Sequence, residues 1–209
     1  MIIGKIPIRT HIINEKDNIV EVVKVYTGNV AAPGDIVAIA ESVVAITQGR
    51  AILPETVRPG LLARFLCRFP GKDGSLATPP AMQLAINDTG TVRIILGAVA
   101  AAIGKLIRRK GDFYRVAGRH LTLIDDIAGT MWPYERHIIL GPKGSQEIVD
   151  KIRAETGLEA VIADINDTGN VDILAASAGI DQKQLIRYLK DNPFGNDDQQ
   201  TPIVLLKTE

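Results

Sequence analysis

The chain has 209 residues, enough for one domain with a substantial core or for two small ones. Lys+Arg and Asp+Glu balance at 24 each, so no net charge marks it as a binder of nucleic acid or of an anionic membrane. Cys67 is the only cysteine, which rules out an internal disulfide and fits a reducing compartment, read here as the cytoplasm.

Taken in chain order, residues 2–13 and 19–26 read as two strands joined by the polar turn NEKDN. The opening MIIGKIPIRTHII has no apolar stretch followed by a small-residue cleavage site, so no signal peptide is expected. After the Pro33-Gly34 turn come two apolar runs, 36–40 and 43–47, broken by Glu41-Ser42. Both read as buried strands. Residues 59–69 (PGLLARFLCRF) predict an amphipathic helix with Pro59 in its first turn and Leu62, Phe65, Leu66 and Phe69 on one face. Cys67 within it is read as a small buried hydrophobe.

Residues 80–88 and 92–109 read as helical. The apolar run 94–104 is too short to span a membrane, which takes roughly 20 residues. Its Gly97, Ala101 and Gly104 are spaced for close backbone approach, within the fold or across a dimer interface. Residues 121–127 and 136–140 read as strands. Ser145 is the expected cap of a helix that Gly157 closes. Strands at 159–165, 171–176 and 202–206 follow, with a helix at 181–191 between the last two. The expected fold is α/β or α+β, a mixed sheet with flanking helices and with 36–40, 136–140 and 159–165 as central strands. It is read as one domain over 1–209, divisible into lobes of 1–130 and 131–209. INDTG at 86–90 recurs at 165–169 and is read as a common turn rather than a duplicated half.

Phosphate loops of the Walker type, dinucleotide fingerprints, HExxH and CxxC are absent from the sequence. His11, His120 and His137 sit beside apolar residues at strand-like positions and are read as structural. What remains is a set of carboxylates at strand ends: Asp125 and Asp126 after LTLI, Asp164 and Asp167 around AVIADIND, and Asp181 after SAGI. Strand ends are where open α/β sheets place ligands. Crowded carboxylates repel unless a cation such as Mg²⁺ or Mn²⁺ lies among them, so Asp125, Asp126, Asp164 and Asp167 are candidate metal ligands and Asp181 a candidate nucleotide or substrate contact, with a turn or a helix cap as the plain alternative for each. Lys143 in GPKGS, between a strand and a helix start, is a candidate phosphate contact or part of an ordinary loop. Arg108, Arg109, Lys110, Arg115 and Arg119 around Phe113 and Tyr114 suit an anionic ligand or a solvated helix end. Asn192 and Gln199 border the polar run GNDDQQ and are expected near the acidic site.

GDIVAIAESVVAITQGR, from Gly34 to Arg50, resembles the opening signature of the γ-glutamyl ligases of coenzyme F-420. Gly34, Asp35, Ser42, Val43, Val44, Gly49 and Arg50 fit that signature, and Ser42 and Arg50 become candidate substrate or nucleotide contacts through it. Ile46 falls where the family has Lys, and Gln48 where it has Glu. RKGDFYRVAGRHLTLIDDIAG and TGLEAVIADINDTGNVDILAASAGI resemble two further segments of these ligases. RPG at 58–60, LCRF at 66–69, SLAT at 75–78, LIDD at 123–126 and the run from Asp191 to Leu205 resemble a shorter branch of the same superfamily. The resemblance implies a two-lobed α/β homodimer. Such a ligase uses GTP and a divalent metal to activate a carboxylate as an acyl phosphate, which the amine of glutamate then attacks. It implies that Asp164 and Asp167 match the metal-proximal motif and Asp126 the acidic turn, with Asn170 at that motif's Arg. The expected function is amide-forming ligation of a small-molecule carboxylate and an amino acid. The alternative is a non-catalytic ligand-binding or regulatory relative.

Overall fold

The computed structural model describes residues 2–71, 74–126, 132–165, 169–195 and 199–209. In chain order the elements are β1 (Ile2–Ile8), α1 (Ile19–Thr27), β2 (Ile36–Ala40), α2 (Glu41–Thr47), β3 (Ala51–Ile52), α3 (Leu61–Leu66), α4 (Pro79–Thr89), α5 (Thr91–Leu106) and α6 (Asp112–Ala117). Then follow β4 (Asp125–Asp126), β5 (Ile138–Ile139), α7 (Ser145–Thr156), β6 (Glu159–Ile165), β7 (Val171–Ala176), α8 (Gln182–Leu189) and β8 (Ile203–Thr208). Short 3-10 turns occupy Pro54–Thr56 and Arg119–Leu123. This is an α+β fold built on a mixed sheet. The chain forms two compact units, one of residues 1–50, 129–132 and 142–209, the other of residues 51–128 and 133–141.

The first unit is organised around a five-stranded sheet of order β1-β8-β2-β6-β7. Only β2 and β6 run parallel; β8 is antiparallel to both β1 and β2, and β7 to β6. Alternation along the central strands sorts their side chains onto two faces. Val37, Ile39, Ala160, Ile162, Ile203 and Leu205 pack with α1 and α7. Ala38, Val161, Ala163, Val204 and Leu206 pack with Leu185 and Leu189 of α8. The signature pair Gly34-Asp35 anchors the start of β2 to the end of β8. Asp35 is 1% exposed. It accepts hydrogen bonds from Ala32 N (2.7 Å), Thr208 N (3.1 Å) and Lys207 Nζ (2.5 Å). Gly34, at φ +92°, brings its carbonyl to the Thr208 hydroxyl at 2.7 Å.

The second unit holds a three-stranded sheet of order β3-β5-β4 and the helices α3 to α6. Gly97 and Gly104 of α5 face α6: a Cβ on Gly97 would lie 2.7 Å from the Ala117 Cβ, and one on Gly104 would strike Asp112. The close approach read from the 94–104 spacing is therefore made within the fold. Gly90, at φ +94°, ends α4 and starts α5. Among the described residues no single helix is long and apolar enough to cross a membrane; α4 and α5 taken together are bent by 116°.

Several expectations are corrected. Residues 19–26 form helix α1, not a strand. Ile19, Val20, Val22, Val23 and Thr27 are buried with helical spacing, Glu21 and Lys24 face outward, and Asn18 Oδ1 caps Val20 N at 2.9 Å. Residues 43–47 belong to helix α2, because a short run buried all round carries no period that separates strand from helix. The expected strand 2–13 stops at Ile8, and only Asp125–Asp126 of 121–127 are in a strand. Residues 136–140 contribute β5, central in the small sheet rather than in the large one. Gly144, not Ser145, caps α7, while Gly157 (φ +73°) closes it as read. None of His11, His120 and His137 lies on a strand. The two INDTG copies differ in structure: Ile86 is buried in α4 and Ile165 ends β6.

Candidate functional site

The site in the first unit grows from the parallel pair β2–β6. Ala40 pairs with Ala163, so Glu41 and Asp164, the next residue of each chain segment, leave that pairing at its carboxyl end. Carboxyl ends of parallel strands are where ligands seat in such sheets. Glu41 is 6% exposed in the first turn of α2, followed by the half-buried Ser42. Across from Asp164, the register of β6 and β7 places Asp172 directly opposite. Like charges facing each other across an antiparallel pair are destabilising. Burial, and then the Asp172 charge, raise the Asp164 pKa above the ordinary carboxylate range. Asp167 lies outside the described residues.

Lys143 is held by its backbone. Gln48, at the end of α2, accepts from Lys143 N (2.8 Å) and donates to Lys143 O (2.7 Å) through the same side-chain amide. This clasp ties the GPKGS loop to the residues after Ser42. The Ile46 side chain, at the position of the family's Lys, is 3% exposed and packed inside, while Asn170 is exposed. Asp181 caps α8, its Oδ1 accepting from Lys183 N (2.9 Å) and Gln184 N (3.3 Å). Asn192 adopts φ +47° with its N–H on Leu189 O, and the Gln199 side chain lies against Gly195. Arg50 follows the turn that ends α2, its N–H on Ala45 O at 3.0 Å.

Asp125 and Asp126 belong to the second unit. They pair with Ile139 and Ile138, and successive strand residues face opposite sides, so the two carboxylates do not converge. Burial raises the Asp126 pKa, partly offset by hydrogen bonds from the Thr78 hydroxyl and N–H. Thr78 of SLAT also caps α4 at Ala81 N (3.3 Å). Cys67 is buried, its thiol donating to Arg64 O at 3.4 Å. His11 meets Asp17 (3.1 Å) and Tyr26, and His120 meets Thr89 (3.0 Å). Among the described residues no group of three His, Cys, Asp or Glu side chains is arranged to hold a metal ion.

Sequence reasoning missed Asp172 and the Gln48 clasp. Strands flanking a short connection pair residues equidistant from it, so a hairpin register drawn around residues 166–170 would have set Asp172 against Asp164.

A family model described as F420-0:gamma-glutamyl ligase matches residues 7–194. The chain belongs to this family. Membership in the F420-0:gamma-glutamyl ligase family supports ligase chemistry in general and small-molecule substrates. The match covers both units, from β1 to the turn after α8. No curated protein matches the chain.

Proposed function

We propose that this chain is an amide-forming ligase that joins an amino acid, glutamate by family analogy, to a small-molecule carboxylate at the expense of GTP. The reading includes a divalent cation, a homodimer and a cytoplasmic setting. The observation that carries it is the facing pair Asp164–Asp172 at the carboxyl end of β6, a like-charge arrangement that favours a positively charged occupant.

Two carboxylates of hard oxygen donors fit Mg²⁺ or Mn²⁺, which keeps several waters and takes few protein ligands. Asp164 and Asp172 would hold it, with Asp167 the adjoining candidate, and it would neutralise charge on phosphate oxygens. The protein's own groups do the rest. The clasped GPKGS loop offers the Lys143 ammonium to a phosphate, and Ser42 and Arg50 bracket the segment to which that loop is tied. In the overall reaction, a carboxylate oxygen takes the terminal phosphoryl group and GDP leaves. The amino group then forms the C–N bond, phosphate departs and the amine loses its proton. Asp181, Asn192 and Gln199 stay as candidate contacts for substrate or nucleotide.

A second reading, a non-catalytic relative that binds ligand only, is favoured by one observation: Ile46 is buried where the family carries Lys. Losing a cation that stabilises developing phosphoryl charge is costly to catalysis. One experiment separates the two. Thermal shifts with GTP, ATP and GDP, each with Mg²⁺ or Mn²⁺, report binding; release of phosphate that depends on glutamate and an acceptor carboxylate reports ligation. Binding without turnover selects the second reading, and neither signal sinks both.

A further inference from the structure

The second unit contains a cavity of about 850 Å³ between α3, α5 and α6, inside the range that holds a small molecule. Its lining is apolar except for Lys105 and the Tyr114 phenol. Its rim is apolar too: Phe65, Phe69 and Leu106 are 55%, 70% and 85% exposed. Exposed apolar side chains gathered around a concavity are a common feature of ligand sites. The charge around it has one sign. Residues 105–115 carry Lys105, Arg108, Arg109, Lys110 and Arg115 against the single acid Asp112. Asp112 is taken by Arg109 (3.0 Å) and Arg115 (2.7 Å). Among the described residues no acid pairs with Lys105, Arg108 or Lys110, and Arg64 and Arg68 stand exposed beside Phe65 and Phe69.

We propose that this cavity binds a free anionic amphiphile, a long-chain carboxylate whose hydrocarbon lies against Phe65, Met82 and Val99 and whose head group meets Lys105. The concavity suits one chain rather than the flat surface of a bilayer. The cationic residues around the cavity disfavour a second copy of this protein, because a two-fold contact sets the same charges against themselves. The site is separate from the Asp164–Asp172 pair, and its test reads binding alone, so it stands whether or not ligation does.

The test is a fluorescence titration of the full chain with cis-parinaric acid and with its methyl ester. Saturable binding of the acid at one equivalent is expected, with the uncharged ester weaker by about tenfold, the size of one lost charge contact. Val99→Trp, at an exposed lining position, should fill the cavity and abolish binding. Lys105→Met, at the surface and without consequence for the core, should erase the preference for acid over ester. Circular dichroism checks that both variants stay folded, and if Val99→Trp does not, the Lys105→Met arm decides alone. Non-saturable binding, equal affinity for acid and ester, or wild-type behaviour of Lys105→Met overturns the proposal. So does co-sedimentation with phosphatidylglycerol vesicles without binding of the free acid, which would assign the patch to a membrane surface. A stable dimer that Val99→Trp dissociates and that never takes up the acid would assign it to a second copy.

Discussion

Asp164 and Asp172 oppose each other across β6 and β7, and their energetics can be measured without knowing the substrate. Asp164 has its folded pKa raised, so the folded state holds the proton more tightly than the unfolded chain does. The stability penalty is absent at low pH and grows as pH rises through and above the ordinary carboxylate range. Asp164→Asn should raise stability at neutral pH by about 0.5–1 kcal/mol, the size of one cross-strand like-charge contact. It should also remove any thermal shift produced by Mn²⁺ with GTP. A variant that loses stability yet still responds to Mn²⁺ would take Asp164 out of the site. Asp35 behaves in the opposite sense. Burial works against its charge, but hydrogen bonds from Lys207, Ala32 and Thr208 win and lower its pKa. Its contribution is complete above the ordinary carboxylate range and is lost as pH falls below that range, through the lowered pKa of the folded state. Asp35→Asn should cost about 1–3 kcal/mol in urea unfolding at about pH 7, with the gap to wild type closing only as pH falls below the ordinary carboxylate range. A gap independent of pH would show that shape rather than charge holds β2 to β8. Gln48→Glu restores the family's residue but removes the donor to Lys143 O. A loss of about 1 kcal/mol is expected, read from the denaturation midpoint.

At the level of elements, the reading from sequence succeeded where burial pattern and length agreed and failed where they competed. The β6–β7–α8–β8 succession was legible because each strand is an apolar run with clear punctuation: Gly157 before β6, Asp181 before α8, Pro202 before β8. In α1 the β-branched residues suggested a strand, yet Glu21 and Lys24 lie three apart and define the outward face of a helix. The α2 run was illegible in principle, since Val43 to Ile46 are all buried. The strand-end carboxylates were legible as a class but not in their arrangement. Which Asp faces which is set by strand register, and Asp125 and Asp126 alternate faces while Asp164 and Asp172 share one. The α5–α6 contact offers the sharpest test at this scale. Gly97→Ala puts a methyl group 2.7 Å from Ala117 and 3.1 Å from the Phe113 carbonyl, both on a neighbouring helix that must move. A loss of about 1–3 kcal/mol is expected from calorimetry. A neutral result would mean that α6 gives way freely.

For the whole molecule, the chain leaves the first unit at Arg50 and re-enters for good at Pro142, so the second unit is an insertion into the first. The proposed homodimer predicts light scattering at twice the mass of 22.5 kDa at micromolar concentration. A monomer there would remove the dimer from the proposed function while leaving the cavity proposal intact. The sheet order has a consequence for synthesis. β8 lies between β1 and β2, and Leu206 pairs with Ile36, so the gap in the sheet is filled by a segment translated long after both its neighbours. At typical elongation rates that interval is roughly 10–30 s. Until β6 is made the run Ile36–Ala40 lacks both of its native partners, and from then until β8 emerges one edge stays open, an apolar strand of the kind that templates aggregation. The nascent chain is therefore most in need of a chaperone before its last strand emerges, although the inserted unit has by then been made in full.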